Sequence, residues 1–339
     1  MKRERSILLL AVLLISAAAG ILNGEGKISG LAFGDYYYAL AHHDEAVEGR
    51  NGFWLRRVYF TYDGKLSEKY AMRFRLEANS PGDFKTATNL VPFIKDAYLA
   101  VRLGRQTLAL GLVATDLYST VEDFWGYRPM EKTPIDLFKF GNSREMGLYL
   151  KGPLDRRGRL SYSLTAGNGD GLKSEVNRGK AVHGRLSFQP NRSLLFELFA
   201  NRTDTGPDTS IAIVHAFAGV KGSRGRAGFN FGWRHDDLGQ SESDLKFISL
   251  FAVGKINGKL EIVGRYDRLL DPFSGASKID YIPMADNARA NVVLAGLGWQ
   301  LSEGIQVIPS VKYVFYDSPG AGEKPDADLY AYLTLYFKF

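Results

Sequence analysis

The chain has 339 residues, with 43 basic and 37 acidic side chains and no cysteine. A formal net charge of +6 is too small an excess to predict a nucleic-acid partner. The lack of cysteine excludes disulfides and cysteine-ligated metals. The high counts of glycine (37), tyrosine (18) and phenylalanine (21) favour a protein of many strands and turns.

Residues 1–19 have the layout of a cleavable export signal. Three basic residues precede an apolar stretch that ends in the small residues Ala17–Ala19. The stretch is short for a helix that crosses a bilayer. We therefore predict a signal peptide over 1–19 and a mature domain over 20–339, and an uncleaved helical anchor is the alternative.

Beyond the signal, apolar and polar residues alternate with a period of two. In Tyr70–Ala78, for example, Met72 and Phe74 fall on one face while Arg73 and Arg75 fall on the other. Sixteen such segments can be distinguished, and many have the length of about 9–11 residues that a tilted strand needs to cross a bilayer. The segments at 210–221 and 244–255 are the least clear, because both of their faces are apolar.

The connections between these segments alternate between short turns and longer polar loops. This asymmetry is typical of outer-membrane barrels, and an even number of strands puts both chain ends at the short-turn end. A sheet that spans a bilayer cannot leave an unpaired edge. We therefore predict an all-β fold, a transmembrane antiparallel up-and-down β-barrel of 16 strands. Alternation in the last strand predicts that Leu335, Phe337 and Phe339 face outwards.

The third long loop, 114–142, is the longest and carries many large apolar side chains. A freely solvated loop would not normally hold so many. We expect it to fold into the lumen and narrow the pore, whereas packing on the rim or against a neighbouring subunit is the alternative. The candidate constriction residues are Tyr118, Glu122, Asp123, Trp125, Arg128 and Lys132.

Basic residues outnumber acidic ones on the predicted inward faces. The candidate anion-attracting residues all come from the first five strands and are Arg57, Arg73, Arg75, Arg102 and Arg105. A wall of guanidinium groups lowers the energy of anions in a pore and raises that of cations. The alternative is a wall of neutral ion pairs, for which Arg75–Glu77 and Arg102–Asp96 are candidates.

No residue pattern in the sequence predicts a catalytic site. The five histidines do not stand at a spacing that joins a nucleophile, a base and an orienting acid. The run His42–Glu45 could ligate a metal, but we interpret it as a solvated loop. We therefore predict no enzyme activity, no metal and no cofactor. A barrel-based outer-membrane enzyme and a non-conducting structural barrel are the competing functions.

One stretch resembles a known family. Residues 52–66, 72–79 and 94–112 resemble the phosphate-selective porin (O and P type) family, and the terminal aromatic strand resembles the assembly signal shared by outer-membrane barrels. The resemblance implies a trimeric 16-stranded porin with a folded-in third loop and, in phosphate-specific members, an arginine ladder with a lysine cluster. The loop 114–142 has only Lys132 and Lys139, so the resemblance implies a porin more than it implies phosphate.

The predicted function is a passive diffusion channel for small hydrophilic solutes that prefers anions, phosphate among them. The predicted location is the outer membrane of a Gram-negative-type bacterium. The predicted partners are outer-membrane lipid, small anionic solutes, the barrel-assembly machinery acting through the C-terminal strand, and two further copies of the chain in a homotrimer.

Overall fold

The computed structural model describes residues 25–317 and 323–339, so the predicted signal peptide over 1–19 lies outside the described residues. The described chain is almost entirely antiparallel sheet. In chain order the sixteen strands are β1 (Gly26–Ala41), β2 (Asn51–Lys65), β3 (Tyr70–Asn79), β4 (Phe93–Leu103), β5 (Gln106–Ala114), β6 (Arg144–Pro153), β7 (Leu160–Gly167), β8 (Ala181–Phe188), β9 (Leu194–Gly206), β10 (Thr209–Gly222), β11 (Gly225–Asp237), β12 (Glu242–Lys255), β13 (Leu260–Leu269), β14 (Ala290–Ser302), β15 (Ile305–Tyr316) and β16 (Asp328–Lys338).

The sheet closes on itself, which confirms the predicted 16-stranded up-and-down barrel. Each strand pairs with its neighbours in sequence, and β1 pairs with β16. At this seam Leu31 faces Lys338, and beyond the last strand Gly30 and Phe339 exchange two backbone hydrogen bonds of 3.0 Å. Closure leaves no edge of unpaired backbone groups.

The connections follow the predicted alternation with two exceptions. Long connections lie at one end of the barrel, the loop end, and they are 42–50, 80–92, 115–143, 168–180, 270–289 and 317–327. Two further connections at the loop end, 207–208 and 238–241, are short turns. They are short because strands β9–β12 extend further before the chain reverses direction. The barrel wall is therefore taller along these four strands than along β7 and β8, which have 8 residues each.

The two faces of the barrel differ in chemistry as a membrane-spanning barrel requires. Apolar side chains such as Leu110, Leu250 and Leu335 are exposed on the outer face. Phe337 and Phe339 are exposed with them, and the backbone pairing of Phe339 with Gly30 continues the alternation of β16.

In the described part of the chain, three short helical elements lie in the long connections. They are α1 (Ser119–Trp125), α2 (Pro134–Leu137) and a 3-10 turn, Ala276–Lys278. The helix α1 ends because Gly126 adopts the left-handed conformation (φ 71°), and its N–H donates to Glu122 O at 2.9 Å. Among the described residues, no helix has the length and apolar character needed to cross a bilayer.

Candidate functional site

A cavity with a volume of about 1740 Å³ lies inside the barrel. Side chains from strands around much of the barrel and from the connection 115–143 line it. Eleven lining residues are Lys or Arg and seven are Asp or Glu. The wall of the cavity is therefore polar, highly charged and positive on balance.

The structure separates the five predicted arginines into two groups. Arg57, Arg73 and Arg75 line the cavity. Arg102 and Arg105 are exposed at the short-turn end and do not line it, and Arg105 NH1 donates to Asp155 O at 3.0 Å. Arg102 is the next-to-last residue of β4, and Arg105 follows the turn at Gly104 (φ 62°), so both lie at the turn end of the wall, away from the cavity.

Each of the three lining arginines has a carboxylate partner. The closest nitrogen–oxygen pairs are Arg57 Nε–Glu77 Oε1 at 3.1 Å, Arg73 Nε–Asp63 Oδ1 at 2.7 Å and Arg75 NH1–Asp96 Oδ2 at 3.4 Å. These partners lie on neighbouring strands and differ from the predicted pairs Arg75–Glu77 and Arg102–Asp96. The ion pairs reduce the field of the guanidinium groups without removing the positive balance of the wall.

Two further cations point inwards because of β-bulges. In β2, Arg57 pairs with Phe33 and Leu55 pairs with Gly34, so Arg56 is an extra residue and is buried. In β4, Lys95 is extra in the same way, and its Nζ lies 2.9 Å from Glu77 Oε2. Strict alternation of the side chains would place Arg56 and Lys95 on the outer face. The only sequence signal for a bulge was a pair of adjacent charged residues in mid-strand.

The connection 115–143 packs against the buried face of β10–β12 with aromatic rings. The ring centroids of Phe124 and Phe217 are 5.2 Å apart, and those of Trp125 and Phe251 are 5.0 Å apart. These contacts explain why the segments 210–221 and 244–255 are apolar on both faces. One face is exposed on the outside of the barrel and the other is covered by the connection.

A buried cluster of charges fixes the same connection to other parts of the wall, on β15 and β2. Lys312 Nζ of β15 lies 2.6 Å from Glu131 Oε2, and both side chains are completely buried. Arg56 NH2 lies 3.9 Å from Glu131 Oε1, while its Nε lies 3.4 Å from Asp35 Oδ2. Burial raises the pKa of Glu131, but Lys312 and Arg56 outweigh it and hold that pKa at about 2.

The six predicted constriction residues have different surroundings. Tyr118, Glu122, Asp123, Arg128 and Lys132 line the cavity, whereas Trp125 is buried and does not. The Trp125 ring donates from Nε1 to Glu131 O at 3.0 Å, so it is a packing residue.

Several of these lining groups are paired or shifted in pKa. Arg128 joins the two helical parts of the connection, since its Nε lies 3.0 Å from Glu122 Oε1 and its NH2 lies 3.3 Å from Asp136 Oδ2. Burial raises the pKa of Glu122, and the opposing effect of Arg128 is smaller. Burial also raises the pKa of Asp123.

A second connection, 270–289, also contacts the interior side chains. Ile279, Ile282 and Met284 are buried, and Tyr330 of β16 donates from its hydroxyl to Pro283 O at 3.1 Å. Sequence reasoning treated this connection as an ordinary long polar loop. The apolar residues between 279 and 284 were the signal that could have identified it.

The two connections are joined by ion pairs. Lys132 Nζ lies 2.8 Å from Asp280 Oδ2, and Lys139 Nζ lies 3.8 Å from Asp280 Oδ1. Both lysines of the connection 115–143 therefore share one carboxylate.

The interpretation of His42–Glu45 as a solvated loop is wrong for its first residues. His42 is 5 % exposed, and the rings of His42 and His43 stack with centroids 4.2 Å apart. His43 Nδ1 lies 2.8 Å from Asp328 Oδ1. Asp328 follows His43 by 285 residues in the chain, and no local pattern connects them.

Solved structures of outer-membrane proteins share this architecture. The anion-selective porin from Comamonas acidovorans aligns with a TM-score of 0.66 at 13% identity, covering 94% of this chain and 100% of that one. The chain has the fold of these porins. The outer membrane channel DcaP of Acinetobacter baumannii aligns with a TM-score of 0.62 at 12% identity, covering 93% and 97%.

The trimer form of the outer membrane protein OmpT of Vibrio cholerae aligns with a TM-score of 0.63 at 9% identity, covering 93% of this chain and 99% of that one. No protein-family model matches the sequence, and no curated protein matches it either. Identities this low support the shared fold alone. The resemblance to phosphate-selective porins (O and P type) therefore stays a prediction.

Proposed function

We propose that the protein is a passive diffusion channel of the bacterial outer membrane for small hydrophilic solutes. The observation that carries the proposal is the charged cavity of about 1740 Å³ inside a closed barrel. A water-filled interior of this kind admits polar solutes, while the apolar outer face suits the hydrocarbon layer.

We infer that the connection 115–143 folds into the channel and limits the size of the solute. Its support is the set of contacts at separate places around the wall. Aromatic packing holds one side against β10–β12, and the buried pair Glu131–Lys312 holds the other side against β15. The connection 270–289 adds to this limit through Asp280, which bridges to Lys132.

The channel prefers anions, and the preference is mild. Eleven basic and seven acidic lining residues leave a positive excess, which lowers the energy of an anion in a narrow pore. The ion pairs of Arg57 and Arg75 weaken that field. Phosphate is one of the anions that can pass, but the two lysines of the connection 115–143 are engaged with Asp280 and offer no dense binding cluster.

The remaining parts of the proposal concern export and assembly. The signal peptide over 1–19 is cleaved after export, and the aromatic strand β16 is recognised by the barrel-assembly machinery. The mature chain associates as a homotrimer within outer-membrane lipid. Passage through the channel needs no catalytic residue and no cofactor.

The test is a planar bilayer measurement on the mature chain, folded in detergent. We expect discrete open channels and, in a gradient of potassium chloride, a reversal potential that favours chloride. Replacement of chloride by phosphate on one side then ranks the two anions. Cross-linking of the detergent-solubilised protein measures the oligomeric state separately.

Two results contradict the proposal at different levels. A cation-favouring reversal potential refutes the charge argument but keeps the channel. A barrel that is folded by circular dichroism and yet carries no current refutes the channel and supports a structural role.

A further inference from the structure

The first and last strands of the barrel meet at a cluster of two histidines and one aspartate. His42 and His43 directly follow β1, and Asp328 is the first residue of β16. Because β1 pairs with β16, these residues lie together at the loop end of the seam that closes the barrel. Neither the channel nor its constriction uses them.

The spacing of the cluster fits a small metal ion. One ligand atom from each of the three residues can be chosen so that all lie within 4.8 Å of one another. His43 Nδ1 is 2.8 Å from Asp328 Oδ1, and His42 Nδ1 is 4.0 Å from it. Ligands on a tetrahedral zinc ion are about 3.4 Å apart, as bond lengths of about 2.1 Å require. The observed distances bracket that value.

The burial of the cluster points to a missing positive charge. The Asp328 side chain is fully buried, and among residues 25–317 and 323–339 no Lys or Arg forms an ion pair with it. The His42 side chain is 1 % exposed, and its Nε2 has no hydrogen-bond partner within that described part. A buried carboxylate is normally paired with a cation or bound to a metal.

Two further hydrogen bonds orient the carboxylate without blocking it. The backbone N–H of His43 donates to Asp328 Oδ1 at 2.7 Å. The hydroxyl of Tyr316 donates to the other oxygen, Oδ2. Hydrogen bonds of this kind hold ligating carboxylates in place in metal sites. The ring of His43 has to exchange its contact with Asp328 for a contact with the ion. The ring of His42 has to exchange the backbone N–H of Asp44, which donates to its Nδ1 at 2.8 Å.

We propose that His42, His43 and Asp328 bind one divalent transition-metal ion, zinc being the best match, and that the ion clips the barrel seam. Two imidazoles and one carboxylate are the donor set of many three-ligand zinc sites, in which water takes the fourth position. The His43 side chain is 18% exposed and provides the path by which ion and water enter. A metal bound at Nδ1 requires the neutral His43 ring with its proton on Nε2.

The test is a calorimetric titration of the folded mature chain with zinc chloride after treatment with a chelator. We expect one zinc ion per chain, and a thermal unfolding temperature that rises with zinc concentration because the ion binds the folded state. His43→Ala weakens zinc binding by more than about tenfold, since it removes a ligand from a partly exposed position. Tyr316→Phe, which alters only the orientation of the carboxylate, weakens it by about tenfold.

The matched control is His235→Ala. His235 Nδ1 lies 2.9 Å from Asp244 Oδ1, so it makes the same kind of contact at an exposed position without a second histidine. Zinc binding to this variant equals that of the unmodified chain. Absence of zinc binding by the unmodified chain overturns the proposal, and so does equal loss in the His43 and His235 variants. Both measurements are independent of conductance, so they do not depend on the proposed channel function.

Discussion

Glu131→Gln is the substitution that tests most directly how the connection 115–143 is held. Glutamine keeps the volume of the side chain and one acceptor oxygen, but it removes the negative charge. Lys312 then loses its carboxylate partner at 2.6 Å inside a fully buried site. Arg56 keeps Asp35 at 3.4 Å, so the uncompensated charge is that of Lys312.

The size of the effect follows from the lowered pKa of Glu131. Its pKa is held at about 2, against an ordinary value of 4.5. A difference of that size corresponds to about 3 kcal/mol in favour of the ionised form in the folded protein. Removal of one member of a buried ion pair has a typical cost of about 3–5 kcal/mol. We therefore expect Glu131→Gln to destabilise the attachment of the connection by about 3 kcal/mol.

The assay combines single-channel recording with limited proteolysis. A connection that detaches more often widens the pore intermittently, so we expect higher current noise and a higher mean conductance. The connection 115–143 also becomes cleavable under conditions in which the barrel itself stays folded, because sixteen paired strands hold the wall independently of it.

The control is Glu68→Gln, which alters a lysine–glutamate pair of similar length. Lys65 Nζ lies 2.7 Å from Glu68 Oε1, but both side chains are solvent-exposed. Exposed pairs contribute little, so we expect no measurable change in noise or cleavage. If Glu131→Gln behaves like this control, the buried charge cluster does not hold the connection and the reasoning is refuted.

Two more effects concern the charges of the cavity wall and the acid response. Arg57→Gln and Arg75→Gln are expected to lower the anion-to-cation permeability ratio by about threefold. A change of about half a kT in pore potential gives this factor, because the potential acts on anions and cations with opposite sign. Arg102→Gln and Arg105→Gln leave the ratio unchanged, and reversal potentials in a salt gradient compare the four variants. Because the pKa of Glu131 lies below its ordinary value, its stabilisation is complete above about pH 4.5 and is lost as the pH falls towards 2. Proteolysis at stepped pH values should show the difference between the unmodified chain and Glu131→Gln disappearing near pH 2.

The barrel itself was predictable from local pattern. The alternation, which has a period of two residues, shows which side chains share a face of a strand. The lengths of the segments indicate that the strands cross a bilayer. The aromatic alternation of Leu329–Phe339 identified the last strand, and the structure pairs that strand with β1 as predicted. Each of these signals resides in a single stretch of chain, so no tertiary information was needed to read it.

Alternation failed where the backbone departs from regular pleating. Arg56 and Lys95 point inwards because each is the extra residue of a β-bulge. A bulge depends on how two strands align along their full length. The sequence of either strand alone shows a regular alternation and does not reveal the bulge. Arg102 and Arg105 lie at the turn end of β4 and β5, and only the structure shows that the cavity does not reach that end.

The contents of the barrel depend on contacts between distant segments. The sequence showed that the connection 114–142 was too apolar for a solvated loop, but it could not show which wall the loop would contact. The pair Glu131–Lys312 joins residues 181 positions apart, and the pair His43–Asp328 joins residues 285 positions apart. No periodicity links residues at such separations.

The sequence by itself determined the strand number, the closure of the sheet and the apolar outer face, because each follows from a short-range pattern matched to a bilayer. Only the tertiary structure decided which charges line the cavity, which carboxylates neutralise them and which wall residues the long connections contact. The physical reason is that a closed barrel brings together side chains from all sixteen strands, so the field inside it depends on their mutual positions rather than on the count of charges in the chain.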